Sequence, residues 1–574
     1  MAAFGTPMLL ALNWPPSPTL WNQCAAIGLQ GAWIALQFRS CASFRSSRHS
    51  RESTAVLALC ALALAAAISA GLPASIGWGM LGVVAAASFA IVSGSALPRT
   101  EGVRVLRALA VALTAAGLLN ALISCAQVFL PWMPDGDVIA RSSLSGRATG
   151  NLRQPNHLAS LLLWSLIGAA ALRELKVWGA RAMVASTFVL VFALVLSGSR
   201  TGVLGTLLLA LWGLCDRRLA PSSRRLLLLL PLVTLVMWLA LSAWAHATSQ
   251  AFAVDTRIMP GNGDISSSRF AIWSNTVAMI VRHPWTGVGF GEFNLAWTLS
   301  AFPHRPTAFF DHTHNLPLQL IVELGLPLGL LVVALLLLSL VRAGRAAWTC
   351  DGEGGIAKRA AFMMVLTIGV HSLLEYPLWY AYFLLPAALA WGLALSQDRD
   401  VTGSSSHVPA ATPSATRAVA LHAFVGAIIA FGATAALFDY SRVAVIYDPP
   451  DNAAPLEDRI TRGQRSPLFG HHADYAAATA FGPPKAPLSP SQELAFKRAP
   501  HQLLDVRLMI AWSQALASQG DLDKARWLAA RIREFRNPGA DEYFAPCSDP
   551  AQAALAFQCQ APTREVHWRE FVQR

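Results

Sequence analysis

The stretch Phe309-Phe310-Asp311-His312-Thr313-His314-Asn315-Leu316-Pro317 puts two histidines at the end of a long polar loop, directly before an apolar run that continues to Val341. Histidine is the side chain whose ordinary pKa suits proton transfer near neutrality. At such a boundary it also serves as an interfacial anchor or a helix cap. Gln319 and Glu323, four residues apart, share one face of the helix that follows. A carboxylate one turn into a membrane is a functional candidate. The histidine pair invites a metal reading too, but no cysteine is near and the carboxylates are scattered, so no metal and no cofactor is expected.

Four other segments carry polar groups beside apolar runs. Arg147-Ala148-Thr149-Gly150-Asn151-Leu152-Arg153-Gln154-Pro155-Asn156-His157 enters one run, with Pro155 near a helix start. Capping explains one polar residue there, not so dense a group. Ser197-Gly198-Ser199-Arg200-Thr201-Gly202 separates two apolar runs with almost no loop. An arginine so placed is costly unless it snorkels or is paired, and its planar fork suits phosphate oxygens. Either an anionic ligand or a structural ion pair answers it. Ser266-Ser267-Ser268-Arg269-Phe270-Ala271-Ile272-Trp273 reads as serine caps before a helix, with Arg269 in its first turn. A cation there opposes the helix dipole unless an anion is near. The glycines of Gly287-Val288-Gly289-Phe290-Gly291 permit a tight turn, and no strand–helix frame makes them a nucleotide fingerprint. Finally, His371-Ser372-Leu373-Leu374-Glu375-Tyr376-Pro377-Leu378-Trp379-Tyr380-Ala381-Tyr382 holds three of the seven tyrosines. An aromatic belt accounts for tyrosines at an interface, but it does not need Glu375.

Composition says what positions these groups. The chain is 54% hydrophobic and 13% charged, against about 25% charged in a soluble domain. Mean hydropathy is +0.45. This is the profile of an all-α polytopic membrane protein. Apolar runs near 19–37, 54–72, 75–93, 105–130, 155–172, 181–198, 201–215, 225–245, 317–341, 358–374, 377–396 and 417–438 predict about twelve transmembrane helices. The 201–215 run is short. Small residues at 61–71 and 82–90 suit close helix packing in lipid. The net charge of +12 is gathered in short loops: Arg39–Arg51, Arg99–Arg107, Arg173–Arg181, Arg217–Arg225 and Arg342–Arg359. That is the cytoplasmic pattern of a membrane protein, not a nucleic-acid surface.

These loops alternate with the spans, so the opposite face receives 131–154, the Ser197–Thr201 turn, the loop 246–313, the hairpin Glu375–Tyr380 and everything after Tyr440. All the polar motifs converge on that face. The expected domains are a membrane part, 1–440, with its large loop 246–313, and a soluble α-helical domain, 441–574. Residues 397–416 read as a flexible connection. In the tail, Asp505–Gln519 and Leu522–Phe535 read as two amphipathic helices joined at Gly520-Asp521, either a tetratricopeptide-like hairpin or a plain helical pair. Cys547 and Cys559 stand alone there and form a disulfide if the tail faces an oxidising compartment. Phe4–Trp14 is too short to cross, which leaves an external N-terminus or a shortened first helix. No cleavable signal peptide is evident.

In this order, Gln154-Pro155-Asn156, Ser197-Gly198-Ser199-Arg200, Arg269 with Trp273, His314-Asn315 and Glu375-Tyr376-Pro377-Leu378 resemble the bacterial O-antigen ligase superfamily, most closely its protein O-oligosaccharyltransferases, which glycosylate pilins and other secreted proteins. The resemblance runs over about residues 20–440, and the soluble tail suits the protein-glycosylating branch. It implies a GT-C-like fold in the bacterial inner membrane, with active site, loop and C-terminal domain in the periplasm. It implies a metal-independent, inverting glycosyltransferase that moves an oligosaccharide from undecaprenyl diphosphate to a Ser or Thr hydroxyl of a protein such as a pilin. In that setting His314 is the expected general base, with Glu375 a second catalytic candidate that orients the histidine, the donor sugar or the acceptor. Arg200, Arg269 and Arg147 hold the diphosphate. Gln154, Asn156, His312, Asn315 and Tyr380 position substrates. The other partners are the lipid bilayer and no nucleic acid. Ligation of O-antigen to lipid A–core and glycan polymerisation use a similar donor and remain alternatives. A transporter is a further class, but its polar residues would line a path through the bilayer.

Overall fold

The computed structural model describes residues 1–39, 48–250, 252, 265–307, 309–396 and 413–572. Among them every regular element is helical, apart from one isolated bridge between Trp14 and Ser17. A helix stands at each expected apolar run. Among the described residues eight are long and apolar enough to cross a membrane: Thr54–Gly71, Ala74–Ala96, Arg99–Phe129, Pro155–Glu174, Ala180–Ser197, Pro221–Thr248, Leu316–Thr349 and Arg417–Tyr447. Arg200–Cys215 and Ala381–Ala394 are shorter apolar helices. The protein is a polytopic, all-helical membrane protein. Most of the connection 397–416 and Arg45 of the first basic loop lie outside the described residues.

The described chain divides into two compact units. The first comprises 1–61, 83–262 and 335–435. Its central element is Pro155–Glu174, 94% of whose apolar window is buried, against 22% for Pro221–Thr248. The latter leaves Leu228, Leu232, Leu235 and Leu239 exposed, a surface suited to lipid. Pro155–Glu174 packs on Arg99–Phe129, Ala180–Ser197 and Gly352–His371. Its few polar side chains serve the packing. Ser165 Oγ donates to Leu113 O at 2.8 Å, and Trp164 Nε1 to Met364 O at 3.0 Å. In this unit the part of Ala74–Ala96 from Val83 on approaches Ala381–Ala394 closely. A Cβ on Gly94 would meet Leu389 O at 2.6 Å, and one on Gly392 would meet Ile91 O at 2.2 Å. In the small-residue runs 61–71 and 82–90 the outcome is mixed: Ile68, Ala86, Ala87 and Ala90 are buried, whereas a Cβ on Gly71 or Gly82 would meet nothing within 4 Å. Small size permits close approach but does not compel it.

The loops of the first unit sort into two bonded sets. The basic loops join one another: Arg359 Nε meets Asp216 Oδ2 at 2.7 Å, Arg218 meets Asp351 at 3.3 Å, and Arg99 donates to Asp351 O at 2.5 Å. The motif-bearing loops form the other set. The N-terminal segment is tied to these motif loops. Phe4 and Met8 are buried, Asn120 Nδ2 donates to Met8 O at 3.0 Å, and Asn151 Nδ2 donates to Leu9 O at 2.6 Å.

The second unit comprises 62–82, 263–334 and 436–574. It holds the helices Ile265–Arg282 and Phe293–Leu299, the start of Leu316–Thr349, and the tail. The Leu316–Thr349 helix is broken at Gly325 (φ 78°, ψ 168°), two residues before Pro327. The glycine turn stitches onto this break: Val288 N donates to Val322 O at 2.9 Å, Gly289 N to Glu323 O at 3.0 Å, and Leu326 N to Pro284 O at 2.7 Å. A Cβ on Gly325 would lie 2.4 Å from Trp285 O, so only glycine fits.

In the tail the expected helix pair is present as Val506–Ser518 and Leu522–Phe535, capped by Asp505 and Asp521. Gly520 takes φ 87° at the turn. The tail shares its core with the loop segment. Trp527 Nε1 donates to Leu299 O at 2.8 Å. The Arg305 side chain, only 1% exposed, meets Glu534 at 2.8 Å and stacks 4.7 Å from Trp297 and 4.8 Å from Phe535. Burial pulls its pKa down to about 10, against the opposing pull of Glu534. Cys547 and Cys559 are joined as a disulfide, Cα to Cα 5.2 Å.

Candidate active site

In the first unit one asparagine joins three loops. Asn156 Nδ2 donates to Glu375 Oε1 at 2.9 Å, and Asn156 Oδ1 accepts from Ser199 Oγ at 2.6 Å. Ser199 in turn caps the next helix, its Oγ accepting from Gly202 N at 3.2 Å. Arg200 is therefore the first residue of that helix, and it is exposed. Its charge adds to the positive end of the helix dipole, a pairing that suits an anion. Arg147 folds onto the same turn, with Nε donating to Ser197 O at 3.2 Å and Nη2 to Gly198 O at 3.5 Å. Glu375 is 5% exposed, and a carboxylate so deep needs such donors.

Gln154 is the N-cap of Pro155–Glu174, its Oε1 accepting from His157 N at 2.9 Å. Below it lies a buried polar layer. His157 Nδ1 is 3.1 Å from the Tyr382 hydroxyl, and its ring meets that of Tyr380 edge-on at 4.5 Å. Ser160 Oγ is 2.6 Å from His371 Nδ1. The structure thus gathers Arg147, Gln154, Asn156, Arg200, Glu375 and Tyr380 about the ends of adjoining helices.

In the second unit His314 sits at the turn into Leu316–Thr349 with φ 55°, the left-handed region that favours glycine. Strain of that kind persists only where the surroundings hold it. Thr313 N donates to Gln319 Oε1 at 2.8 Å, and Gln319 Nε2 donates to Glu323 Oε1 at 2.8 Å. Trp273 Nε1 donates to Thr313 O at 2.9 Å, and Asn315 Oδ1 caps the helix by accepting from Leu318 N at 3.0 Å. Around the ring, Phe310 is edge-on at 5.3 Å and the His312 ring lies 4.7 Å away. His312 Nδ1 meets Asp311 Oδ1 at 2.5 Å. Asp311 feels burial, which raises its pKa, but the bond and charge of His312 outweigh this and hold the carboxyl below its usual range.

The second unit thus gathers His312, His314 and Asn315, with Trp273 linking their turn to the helix that bears Arg269. That helix begins at Ile265, not after the serines, so Arg269 falls in its second turn. Ile265, Ile272 and Met279 repeat at seven residues, which carries the helical stripe through the serines. Glu323 takes a structural part, accepting from Gln319 and from the backbone of Gly291 and Phe293. The sequence reading passed over Ser199, Asp311 and the His157–Tyr382 and Ser160–His371 pairs. All but Ser160, three residues beyond the first polar run, lie within a motif already singled out, but which hydroxyl or ring turns inward is set by helix packing.

Three family models match in chain order: protein glycosylation ligase over residues 148–172, O-antigen ligase over 185–333, and the C-terminal part of a virulence factor membrane-bound polymerase over 359–541. Together they take in the Asn156 loop, Arg200, His314 and Glu375. The chain is also similar to two proteins of Acinetobacter baylyi. It is 29% identical over 306 residues to a general O-oligosaccharyltransferase, 51% of each chain, and 29% identical over 268 residues to a ComP-specific O-oligosaccharyltransferase, 45% of each chain. The resemblance to the O-antigen ligase superfamily, on its protein O-oligosaccharyltransferase branch, holds. The chain spans about half the length of the curated relatives it matches.

Proposed function

We propose that this protein is an O-oligosaccharyltransferase that moves a glycan en bloc from undecaprenyl diphosphate to Ser or Thr hydroxyls of periplasmic proteins, a pilin among them. The observation that carries the reading is His314, a histidine held in a strained backbone conformation at the mouth of an apolar spanning helix. In the reaction His314 takes the proton of the acceptor hydroxyl as its oxygen bonds to the anomeric carbon. The bond from that carbon to the diphosphate breaks, the diphosphate leaves with its electron pair, and the carbon inverts. His312 and Asp311 set the electrostatics beside the base. Arg200 and Arg147 take the developing diphosphate charge, with Arg269 as a third cation, because electrostatic stabilisation counts most at a leaving group. Glu375, held through Asn156, Gln154 and Tyr380 position the reactants, and Asn315 fixes the turn that carries His314.

On this reading about twelve helices span the inner membrane, and these motifs and the tail face the periplasm. The clustering of the basic loops with one another supports that orientation, and so does the disulfide of the tail. The match of residues 359–541 to a membrane-bound polymerase family favours glycan polymerisation as a second reading. Purified protein supplied with an undecaprenyl-diphosphate glycan is offered a pilin-like protein, lipid A–core and the lipid-linked glycan alone, in parallel. Glycan on the protein is the expected result. Glycan only on lipid A–core, or only longer lipid-linked chains, overturns the protein acceptor.

A further inference from the structure

The second unit opens a groove of about 750 Å³ between the loop segment 302–307 and the tail segments 530–536 and 558–562. Four arginines line it, Arg305, Arg531, Arg533 and Arg536, against one acid, Glu534. Arg305 and Arg531 both pair with that acid, at 2.8 and 3.0 Å. Arg533 and Arg536 are exposed and carry the excess charge of the groove. A cleft concentrates the field of such charges and draws an anion.

Arg536 adds an independent sign. It ends the Leu522–Phe535 helix at φ 48°, where glycine is the usual residue because a side chain there is strained. The chain keeps a long cation there in spite of the strained backbone, with only the negative end of the helix dipole to favour it. Between the arginines the lining mixes Phe302, Pro303, Ala530, Ala561 and Pro562 with the polar His304, Thr307, Gln558 and Gln560. Phe302 already carries the guanidiniums of Arg282 at 5.7 Å and Arg305 at 5.2 Å, so its ring is engaged and not open for a sugar to stack on. The mixture suits carboxylates spaced along a peptide with small or proline residues between them.

We propose that this groove binds an acidic polypeptide segment. Naming that segment as part of the acceptor protein rests on the function proposed above; the binding itself does not. Charge governs the contact, so binding weakens as salt rises.

The test uses the full-length protein in detergent micelles and a fluorescein-labelled peptide rich in Asp, Glu and Pro, followed by anisotropy. A peptide with Lys for every acid is the control, and inorganic phosphate and an oligogalacturonate are competitors. The expected result is saturable binding of the acidic peptide alone. Combining Arg536→Gly with Arg533→Gln weakens it about tenfold or more, while Arg536→Gly by itself leaves the melting temperature unchanged or raised, since glycine relieves the backbone. His314→Ala binds as the wild type does. Absent binding, or binding indifferent to the two arginine substitutions, overturns the proposal. Equal competition by phosphate or the oligogalacturonate overturns the peptide assignment. Because anisotropy reads binding and not transfer, the groove fails or stands separately from the transferase reading.

Discussion

Asn156 shows how a short polar residue organises a site that lipid would otherwise penalise. Its amide satisfies a carboxylate on one loop and a hydroxyl on another, which fixes Glu375 and the cap of the helix that begins with Arg200. Leucine is close in size but has neither donor nor acceptor. Asn156→Leu leaves a buried carboxylate short of a partner, a cost of about 1–3 kcal/mol. On the proposed mechanism this falls on the positioning of Glu375 and Arg200, so transfer drops about tenfold to a hundredfold while the protein still inserts. Initial rates of glycan transfer check this; a rate within twofold of wild type removes Asn156 from the mechanism. The motif Gln154-Pro155-Asn156-His157 was legible as a polar entry to a span. The division of labour within it was not, since Gln154 caps its own helix and Asn156 reaches across, and both side chains are amides.

The broken helix Leu316–Thr349 is the element on which the His314 turn depends. Hydropathy displayed it as one apolar run, because leucines continue on both sides of Gly325 and Pro327. The break shows only in the backbone, where the Gly287–Gly291 turn fills it. Gly325→Ala puts a Cβ against Trp285 O and strains φ, so stability falls by about 1–3 kcal/mol. A lower melting temperature, with reduced transfer, is the expected outcome; an unchanged melting temperature contradicts the close fit. The tail helix Gly470–Thr479 gives a pH prediction. Burial pushes His472 down to about 4 and His471 well below its ordinary 6.5. Both stay neutral in the folded state while the unfolded chain takes up protons, so their stabilising effect is full above about pH 6.5 and is lost as pH falls towards 4. Asp474, pushed up to about 6 by burial, acts in the opposite sense over the same range. Two histidines against one aspartate make the melting temperature fall from pH 6.5 to 4. His472→Asn makes the fall shallower and Asp474→Asn makes it steeper. A flat wild-type profile contradicts the balance.

At the scale of the whole molecule, the apolar runs and the gathering of basic residues into short loops carried most of what hydropathy can carry. A helix stands at each expected span, and the basic loops bond with one another. Packing between distant segments was out of reach. The loop after Ile265 and the tail after Ala436 share one compact unit, through contacts such as Arg305 with Glu534 and Trp527 with Leu299, more than 200 residues apart. No period or composition encodes such pairs. Cys547 and Cys559 test the side on which this unit lies. On the proposed orientation both resist a thiol reagent in cells until reduction and react after it; labelling without reduction contradicts an oxidising compartment. The central claim is that His314 removes the acceptor proton in glycan transfer from a polyprenyl diphosphate to a protein hydroxyl. Single-turnover transfer by the purified wild type and by His314→Ala, matched for melting temperature, measures it most directly. The account predicts glycosylated acceptor from the wild type and none above background from the variant. Transfer by the variant at the wild-type rate would contradict it.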